Sequence, residues 1–377
     1  MSKSVKKTPG IAISGYYGFG NCGDEAVLCA IVHCLKALTP ETEIVVFSND
    51  PDNTRKEYAV GAVNRWQPFS IARSLLSCRL LISGGGSLIQ DVTSARSAGY
   101  YLGVIRLALL LRKKVVIFSQ GIGPLSVMKN RVMTRKVIDR CNYITVRDDR
   151  SAALLKELGV TKDVHVTGDP VMALGSADID TDGTDGLLRE SGISRGDDGK
   201  RRPLLMVSVR RWKDDNHIAP VAELLDNQIR LGWDVLLVPA YFSEDDKAAA
   251  MISALMAETP YHIGKGLTAR QFIALTARAD RVFSMRLHGL ICAMAMGTPL
   301  VGLSYDPKVD GFMEQAGLER FCLPFDDFDA ETAGALLEES ESQLNEIKQD
   351  QDARRSEMFA AVWDTARKTV ELLKNNC

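Results

Sequence analysis

Ser284-Met285-Arg286-Leu287-His288-Gly289-Leu290 sets a guanidinium and an imidazole side by side between an apolar strand pattern, Arg281 to Ser284, and an apolar helix pattern, Leu290 to Met296. In an open α/β sheet such a junction lies at the carboxyl end of a strand, where ligands bind. A helix N-terminus there already favours anions. Lys308 follows the next strand pattern, Leu300 to Ser304, and Arg210 follows another, Leu204 to Val209. Arg147 ends the strand pattern Tyr143 to Val146. An imidazole titrates near neutrality and can both give and take protons. Fixed cations beside it suit a multiply charged anion and proton transfer. Each residue also has a plainer reading: Arg147 or Arg286 as a salt bridge, His288 as a cap or core residue, Lys308 as a solvated side chain.

Two glycine-rich loops add to this set. Gly18-Phe19-Gly20-Asn21-Cys22-Gly23 has the G-x-G-x-x-G form, after a strand pattern and before a helix pattern. That is the context of a dinucleotide fingerprint, with Asp50 near the position of a ribose-binding acid. However, Tyr16 and Tyr17 lengthen the loop, and Asp24 and Glu25 put negative charge where a pyrophosphate would lie. A tight turn, or a loop approaching a substrate, are the other readings. Gly84-Gly85-Gly86-Ser87 follows a second strand and exposes backbone N–H groups, without the lysine of a P-loop.

The elements that must carry these residues alternate. Strand patterns at Ile11 to Ser14, Ile44 to Ser48, Leu80 to Ser83, Val115 to Ser119 and Tyr143 to Val146 are separated by helix patterns at Asp24 to Leu38, Tyr101 to Leu111 and Lys129 to Cys141. Residues 175–203 are polar and break the rhythm, with a short helix near Leu187; the alternation then restarts. The pattern predicts an α/β protein of two doubly wound, Rossmann-like domains. We place them at 1–174 and 204–330, joined by a linker at 175–203 and followed by C-terminal helices at 331–377. Met358, Phe359, Val362 and Trp363 are expected to pack inward from that tail.

Composition narrows the function. The net charge of −2 over 377 residues offers no global field for nucleic acid, so anion binding must be local. Of eight cysteines, none forms a C-x-x-C pair, and most lie in apolar patterns as small hydrophobes. Cys22, inside a glycine loop, stands apart. No His, Asp or Glu cluster has metal spacing; Asp178-Ile179-Asp180 has D-x-D form but lies in the polar linker. The basic stretch Met1 to Gly10 is not followed by a signal-length apolar run, and no segment approaches the length of a spanning helix. These features predict a cytoplasmic protein.

Together the motifs resemble the polysaccharide pyruvyltransferase family, in its cell-surface-anchoring branch. The resemblance is carried by Gly15 to Glu25, Gly84 to Asp91, Ser119 to Pro124, Val146-Arg147-Asp148, Gly168-Asp169-Pro170, Ser284 to Leu290 and Tyr305-Asp306-Pro307-Lys308, in that order. It departs at Cys22, where an alanine is more usual. The resemblance implies a GT-B-like fold, two Rossmann-like domains facing across a cleft. It implies phosphoenolpyruvate as donor substrate, with no cofactor expected, and the lack of metal-ligand spacing predicts a metal-free mechanism. The acceptor would be a lipid-linked saccharide containing N-acetylmannosamine, the product a 4,6-pyruvate ketal of a polymer that anchors S-layer proteins. For that chemistry the residues expected to act in catalysis are His288, which moves protons, and Lys308 and Arg147, which hold the phosphate and carboxylate. Substrate contacts fall to Arg286, Arg210, Gly18, Asn21, Gly23, Asp24, Gly85, Gly86 and Ser87. A lipid-linked acceptor also implies peripheral contact with the inner membrane surface, for which the basic residues Arg131, Arg135, Lys136 and Arg140 form a candidate face. Three rivals remain: a GT-B glycosyltransferase using a nucleotide sugar, with Glu314 as ribose-binding acid, an NAD oxidoreductase, and a carbohydrate-binding protein without catalysis.

Overall fold

The computed structural model describes residues 10–92, 95–181, 183–193, 202–342 and 344–375. The basic N-terminal residues before Gly10, residues 182 and 194–201 of the polar linker and Cys377 lie outside the described residues. The chain divides into two compact units. One comprises Met1–Phe19, Val27–Ala173 and Met358–Cys377; the other comprises Gly20–Ala26 and Leu174–Glu357.

The first unit is built on an eight-stranded parallel sheet. Its strands are β1 (Ile11–Tyr17), β2 (Ile44–Ser48), β3 (Gly61–Asn64), β4 (Leu80–Ser83), β5 (Gly86–Ile89), β6 (Lys114–Ile122), β7 (Tyr143–Val146) and β8 (His165–Val166). They run in the order β3-β2-β1-β4-β6-β7-β8, with β5 paired to β6. The order reverses between β1 and β4, which marks a topological switch point at the carboxyl edge. The central strands are buried on both faces, as apolar runs without alternation require: every residue of β2 and β4 is buried. Packed over them are α1 (Cys22–Leu38), α2 (Pro51–Tyr58), α3 (Pro68–Ser77), α4 (Ala95–Leu110), α5 (Met128–Ile138) and α6 (Asp149–Glu157).

The second unit holds a six-stranded parallel sheet of β9 (Leu204–Ser208), β10 (Asp234–Leu237), β11 (Tyr261–His262), β12 (Arg281–Ser284), β13 (Leu300–Ser304) and β14 (Cys322–Pro324). Its order is β11-β10-β9-β12-β13-β14, with the reversal between β9 and β12. The helices here are α7 (Thr184–Glu190), α8 (Ile218–Arg230), α9 (Phe242–Leu255), α10 (Ala269–Arg278), α11 (Leu287–Met296), α12 (Pro307–Ala316) and α13 (Ala330–Ser342). The long α14 (Leu344–Lys374) ends the chain, and its residues from Met358 onward belong to the first unit. There Trp363 Nε1 donates to the Ala173 carbonyl at 3.1 Å.

The apolar strand patterns at Ile44 to Ser48, Leu80 to Ser83, Tyr143 to Val146, Arg281 to Ser284 and Leu300 to Ser304 coincide with observed strands. In the segment Gly84 to Ser87, Gly86 and Ser87 open a further strand, β5, and pair with Gln120 and Gly121 of β6. The inward packing expected of the tail holds for Met358 and Val362 but not for Phe359, which is 39% exposed. Among the described residues no helix is long and apolar enough to cross a membrane.

Ile82 lies at the centre of the first sheet, paired with Ile13 and Val116 and fully buried. Ile82→Ala is expected to cost about 2–5 kcal/mol, since a cavity remains where a close-packed sheet cannot collapse. Urea unfolding of the purified variant measures this directly.

Candidate active site

In the second unit, three adjacent strands deliver the expected residues to one edge. Arg210 follows β9, Arg286 and His288 follow β12, and Lys308 follows β13. The β12–α11 junction is locally determined. Ser284 Oγ donates to the Arg286 carbonyl at 2.9 Å, and Met285 N–H donates to the Ser208 carbonyl at 2.9 Å. Gly289 must lack a side chain, because a Cβ there would lie 2.4 Å from Ser284 Oγ. Arg286 stands at the N-cap of α11, and His288 falls within its first turn.

The same unit includes Gly20–Ala26. Asn21 forms an antiparallel bridge with Tyr241, and Cys22 N–H donates to the Ala240 carbonyl at 2.9 Å. Asn21 Oδ1 accepts from Gly23 N–H at 3.1 Å, so this side chain caps α1. A Cβ at Gly23 would lie 2.2 Å from His288 Nδ1. The glycine loop therefore lays its bare backbone against the imidazole. Asp24 and Glu25 occupy the first turn of α1, where negative charge complements the helix dipole.

Arg286, read from sequence as a substrate contact, meets a carboxylate. Its Nε lies 3.1 and 3.0 Å from the two oxygens of Asp245, and its Nη2 also bonds Asp245. Asp245 Oδ2 in turn accepts the N–H groups of Ala240 and Tyr241 at 3.1 and 2.9 Å. The local charge of Arg286 is thereby taken up, and the pair links the His288 turn to the segment that receives Asn21 and Cys22. Nothing in the sequence pattern singled out Asp245, which lies 41 positions from its partner.

Arg210 and Lys308 keep their charges near one ring. The Arg210 guanidinium lies 5.4 Å from the Tyr305 ring centroid and 5.2 Å from that of Trp212, and Lys308 Nζ lies 5.5 Å from Tyr305. Arg210 Nη1 donates to the Tyr305 hydroxyl at 3.4 Å. Lys308 Nζ is 3.4 Å from Asp306, whose side chain caps α12 by accepting from Lys308 N–H. The carbonyl of Arg210 accepts from His217 Nε2 at 2.9 Å, and burial of that imidazole holds its pKa below the usual value. Trp212, Tyr305 and Asp245 were absent from the sequence-derived set as site residues. An aromatic beside each basic strand end was the signal for the first two.

Cys22 is buried and its thiol donates to the Leu267 carbonyl at 3.3 Å. Burial, with Glu25 and Asp245 nearby, pushes its pKa up to about 12. Such a thiol is protonated at neutral pH and no nucleophile.

In the first unit, Arg147 is buried at the end of β7. Its Nη2 donates to Ser87 Oγ at 3.3 Å, Nε lies 3.2 Å from Asp148, and Nη1 lies 3.8 Å from Asp169. A Cβ at Gly121 would come within 2.9 Å of that guanidinium. Gln120, fully buried beside it, accepts from Ser83 Oγ at 3.1 Å. Gly85 is bounded by Pro170 and Val27, each under 3.0 Å from a Cβ built there. Gly18 and Gly86 have φ of +79° and +86°, backbone that favours glycine. Asp50 caps α2 by accepting from Asn53 N–H, and Glu314 is exposed on α12.

With this geometry in view, the comparisons with known proteins are decisive for the family. Residues 21–307 match the family model for polysaccharide pyruvyl transferase. The chain belongs to the polysaccharide pyruvyl transferase family. It is 20% identical over 256 residues to the amylovoran biosynthesis protein AmsJ of Erwinia amylovora, covering 63% of this chain and 59% of that protein. Among solved structures, it resembles a glycosyltransferase from Rickettsia africae ESF-5, with TM-score 0.62 and 12% identity over 98% of this chain and 100% of the other. A second is a UDP-N-acetylglucosamine 2-epimerase, so described, from Listeria monocytogenes, with TM-score 0.64 and 14% identity over 96% and 95% of the two chains. The ADP-heptose heptosyltransferase II of E. coli follows at TM-score 0.52 and 14% identity, over 89% of this chain and 99% of the other. At these identities the likeness shows the fold: two parallel-sheet α/β domains of Rossmann-like, GT-B type.

Two outcomes test this arrangement. Gly23→Ala should keep the fold while displacing the His288 ring, read as a changed His288 signal in imidazole NMR at nearly unchanged thermal midpoint. Iodoacetamide at mildly alkaline pH should leave Cys22 unmodified in the native protein and alkylate it once urea exposes it; peptide mass spectrometry reads both.

Proposed function

We propose that this member of the family transfers the pyruvyl group of phosphoenolpyruvate to a saccharide, releasing phosphate. The observation that carries the reading is the delivery of Arg210, His288 and Lys308 by three adjacent strands of one sheet, within a chain of this family. Phosphoenolpyruvate carries a phosphate and a carboxylate, and cations at helix starts and strand ends are the groups that hold such an anion. In this reading Arg210 and Lys308 bind the donor and neutralise charge as phosphate departs. Tyr305 lies against both, and Trp212 against Arg210.

The reaction balances without an oxidant or cofactor. One sugar hydroxyl adds to C2 of the enol as the terminal CH₂ gains a proton and becomes CH₃. The C2–O bond to phosphate breaks, a second hydroxyl closes the ketal, and its proton leaves with phosphate. His288 is proposed to carry these protons, with Gly23 at its ring edge keeping it in place. Arg286 is then a positioning residue, acting through Asp245. Arg147, whose fork is already shared among Ser87, Asp148 and Asp169, is proposed as a positioning residue that orients Ser87. Of the other expected contacts, Asn21 is assigned to capping and Gly18, Gly85 and Gly86 to backbone approach.

The proposed acceptor is an N-acetylmannosamine-containing, lipid-linked precursor of a cell-surface polymer, acted on in the cytoplasm. An exposed face of α5 supports contact with a membrane. Met128 and Val132 lie there with Lys129, Arg135 and Lys136, while the charge of Arg131 is paired with Glu157 at 2.5 Å. Basic residues beside apolar ones suit an anionic bilayer surface. Transfer of a glycosyl group from a nucleotide sugar is the second reading, supported by the fold alone.

Phosphate release from phosphoenolpyruvate, dependent on a β-N-acetylmannosaminyl acceptor, tests the first reading; release of nucleoside diphosphate from a nucleotide sugar supports the second. His288→Ala should lower kcat by about 10²–10⁴-fold, the usual worth of general acid–base catalysis, while donor KM changes little. Arg210→Ala and Lys308→Ala should both raise donor KM and lower kcat, since each group binds the donor and meets the charge of the departing phosphate. Turnover within about tenfold of wild type after removal of His288 would end its assignment.

A further inference from the structure

At the carboxyl edge of the first sheet, the ends of β1 and β3 together with α4 carry an aromatic cluster that the reading above does not use. Arg65, just after β3, is 4% exposed. Its guanidinium lies between 4.5 Å and 5.9 Å from the ring centroids of Tyr16, Phe19, Trp66, Tyr100 and Tyr101. Nη1 donates to the Gly15 carbonyl at 2.7 Å and Nη2 to the Tyr101 hydroxyl at 3.2 Å. Among the described residues its Nε has no hydrogen-bond acceptor. Tyr16 and Phe19 stack at 4.0 Å and 5°. The cation is the hub around which rings from the ends of β1 and β3 and from α4 are arranged.

One ring departs from this burial. Trp66 is 60% exposed, yet its Nε1 donates to Asn49 Oδ1 at 2.8 Å. Asn49 Nδ2 donates to the Gly18 carbonyl at 3.2 Å, tying the indole to the glycine loop. An amide nitrogen carries two donors, and among the described residues one of Asn49's is used. An indole in solvent normally turns freely; this one is held before any ligand arrives, so little entropy remains to be lost on binding. Nearby in sequence, Phe69 at the start of α3 is 91% exposed.

We infer that Trp66, with Asn49 at its edge, is a stacking platform for a pyranose ring of the saccharide acceptor. The inference rests on the proposed transfer to a saccharide. A pyranose offers an apolar C–H face to an indole and hydroxyls to an amide, matching a fixed ring beside a spare N–H donor. A phosphate or carboxylate is disfavoured, because the Arg65 charge is enclosed by its rings. The platform occupies the β1–β2–β3 side of the switch point, whereas Arg147 and Ser87 occupy the β5–β7 side of the same edge.

The test separates this platform from the transfer chemistry. Methyl β-glycosides of N-acetylmannosamine, N-acetylglucosamine, glucose and galactose, and uridine as a control, are titrated against wild type, Trp66→Ala and Trp66→Phe without phosphoenolpyruvate, following tryptophan fluorescence and saturation-transfer NMR. Binding of at least one glycoside that weakens about twofold to tenfold in Trp66→Ala and recovers in part in Trp66→Phe is expected, the range given by an aromatic contact. Steady-state turnover should show the acceptor KM of Trp66→Ala rising by the same factor with donor KM unchanged. Glycoside binding equal in wild type and Trp66→Ala, no binding of any glycoside, or a response to uridine alone overturns the platform. A wild type that binds a glycoside through Trp66 yet releases no phosphate from phosphoenolpyruvate overturns the transfer reading and leaves the platform standing.

Discussion

The buried pair of Arg286 and Asp245 is the contact on which the second unit's candidate site depends. Asp245 is almost wholly enclosed, so its charge must be met by partners. It has four: two edges of the Arg286 fork and the N–H groups of Ala240 and Tyr241. Those backbone groups belong to the segment that bridges Asn21 and Cys22, and the next residue, Gly23, bounds the His288 ring. Breaking a buried pair by removing one member typically costs about 3–5 kcal/mol, because the other charge is left uncompensated. The imidazole is therefore held by a chain of polar contacts that is either complete or badly strained.

Charge in this protein is organised locally. A net charge of −2 gives no long-range attraction for anions. The sheets supply it instead, because parallel strands end on one edge and each basic residue just past a strand end is delivered there. Cations differ in what they keep for a ligand. Arg286 spends its fork on a carboxylate, whereas Arg210 and Lys308 lie over an aromatic ring that cannot neutralise them. Lys308 also faces Asp306 at 3.4 Å, a partly exposed pair that solvent screens.

The fold itself is shared with proteins described as glycosyltransferases and as epimerases. Two parallel sheets with edges free for loops can host many chemistries, so function follows the side chains at those edges. Here the family match and the residues at three neighbouring strand ends carry the functional reading.

Sequence by itself determined the alternation of strands and helices, because strands buried on both faces read as apolar runs with sharp ends. It also located Arg147, Arg210, His288 and Lys308, since a basic residue just past such a run is a local signal. Short edge elements escaped it. Gly61–Asn64 and Gly86–Ile89 are four residues each and open on glycine, so strand pairing there overrides a weak local propensity. Only the tertiary structure decided which cations are spent and which remain. The partner of Arg286 lies 41 positions away, the neighbours of Arg65 come from three separate segments, and Gly23 meets an imidazole across most of the chain. Contacts at such separations leave no periodicity to read, because they arise from the packing of elements and not from the pattern within any one of them.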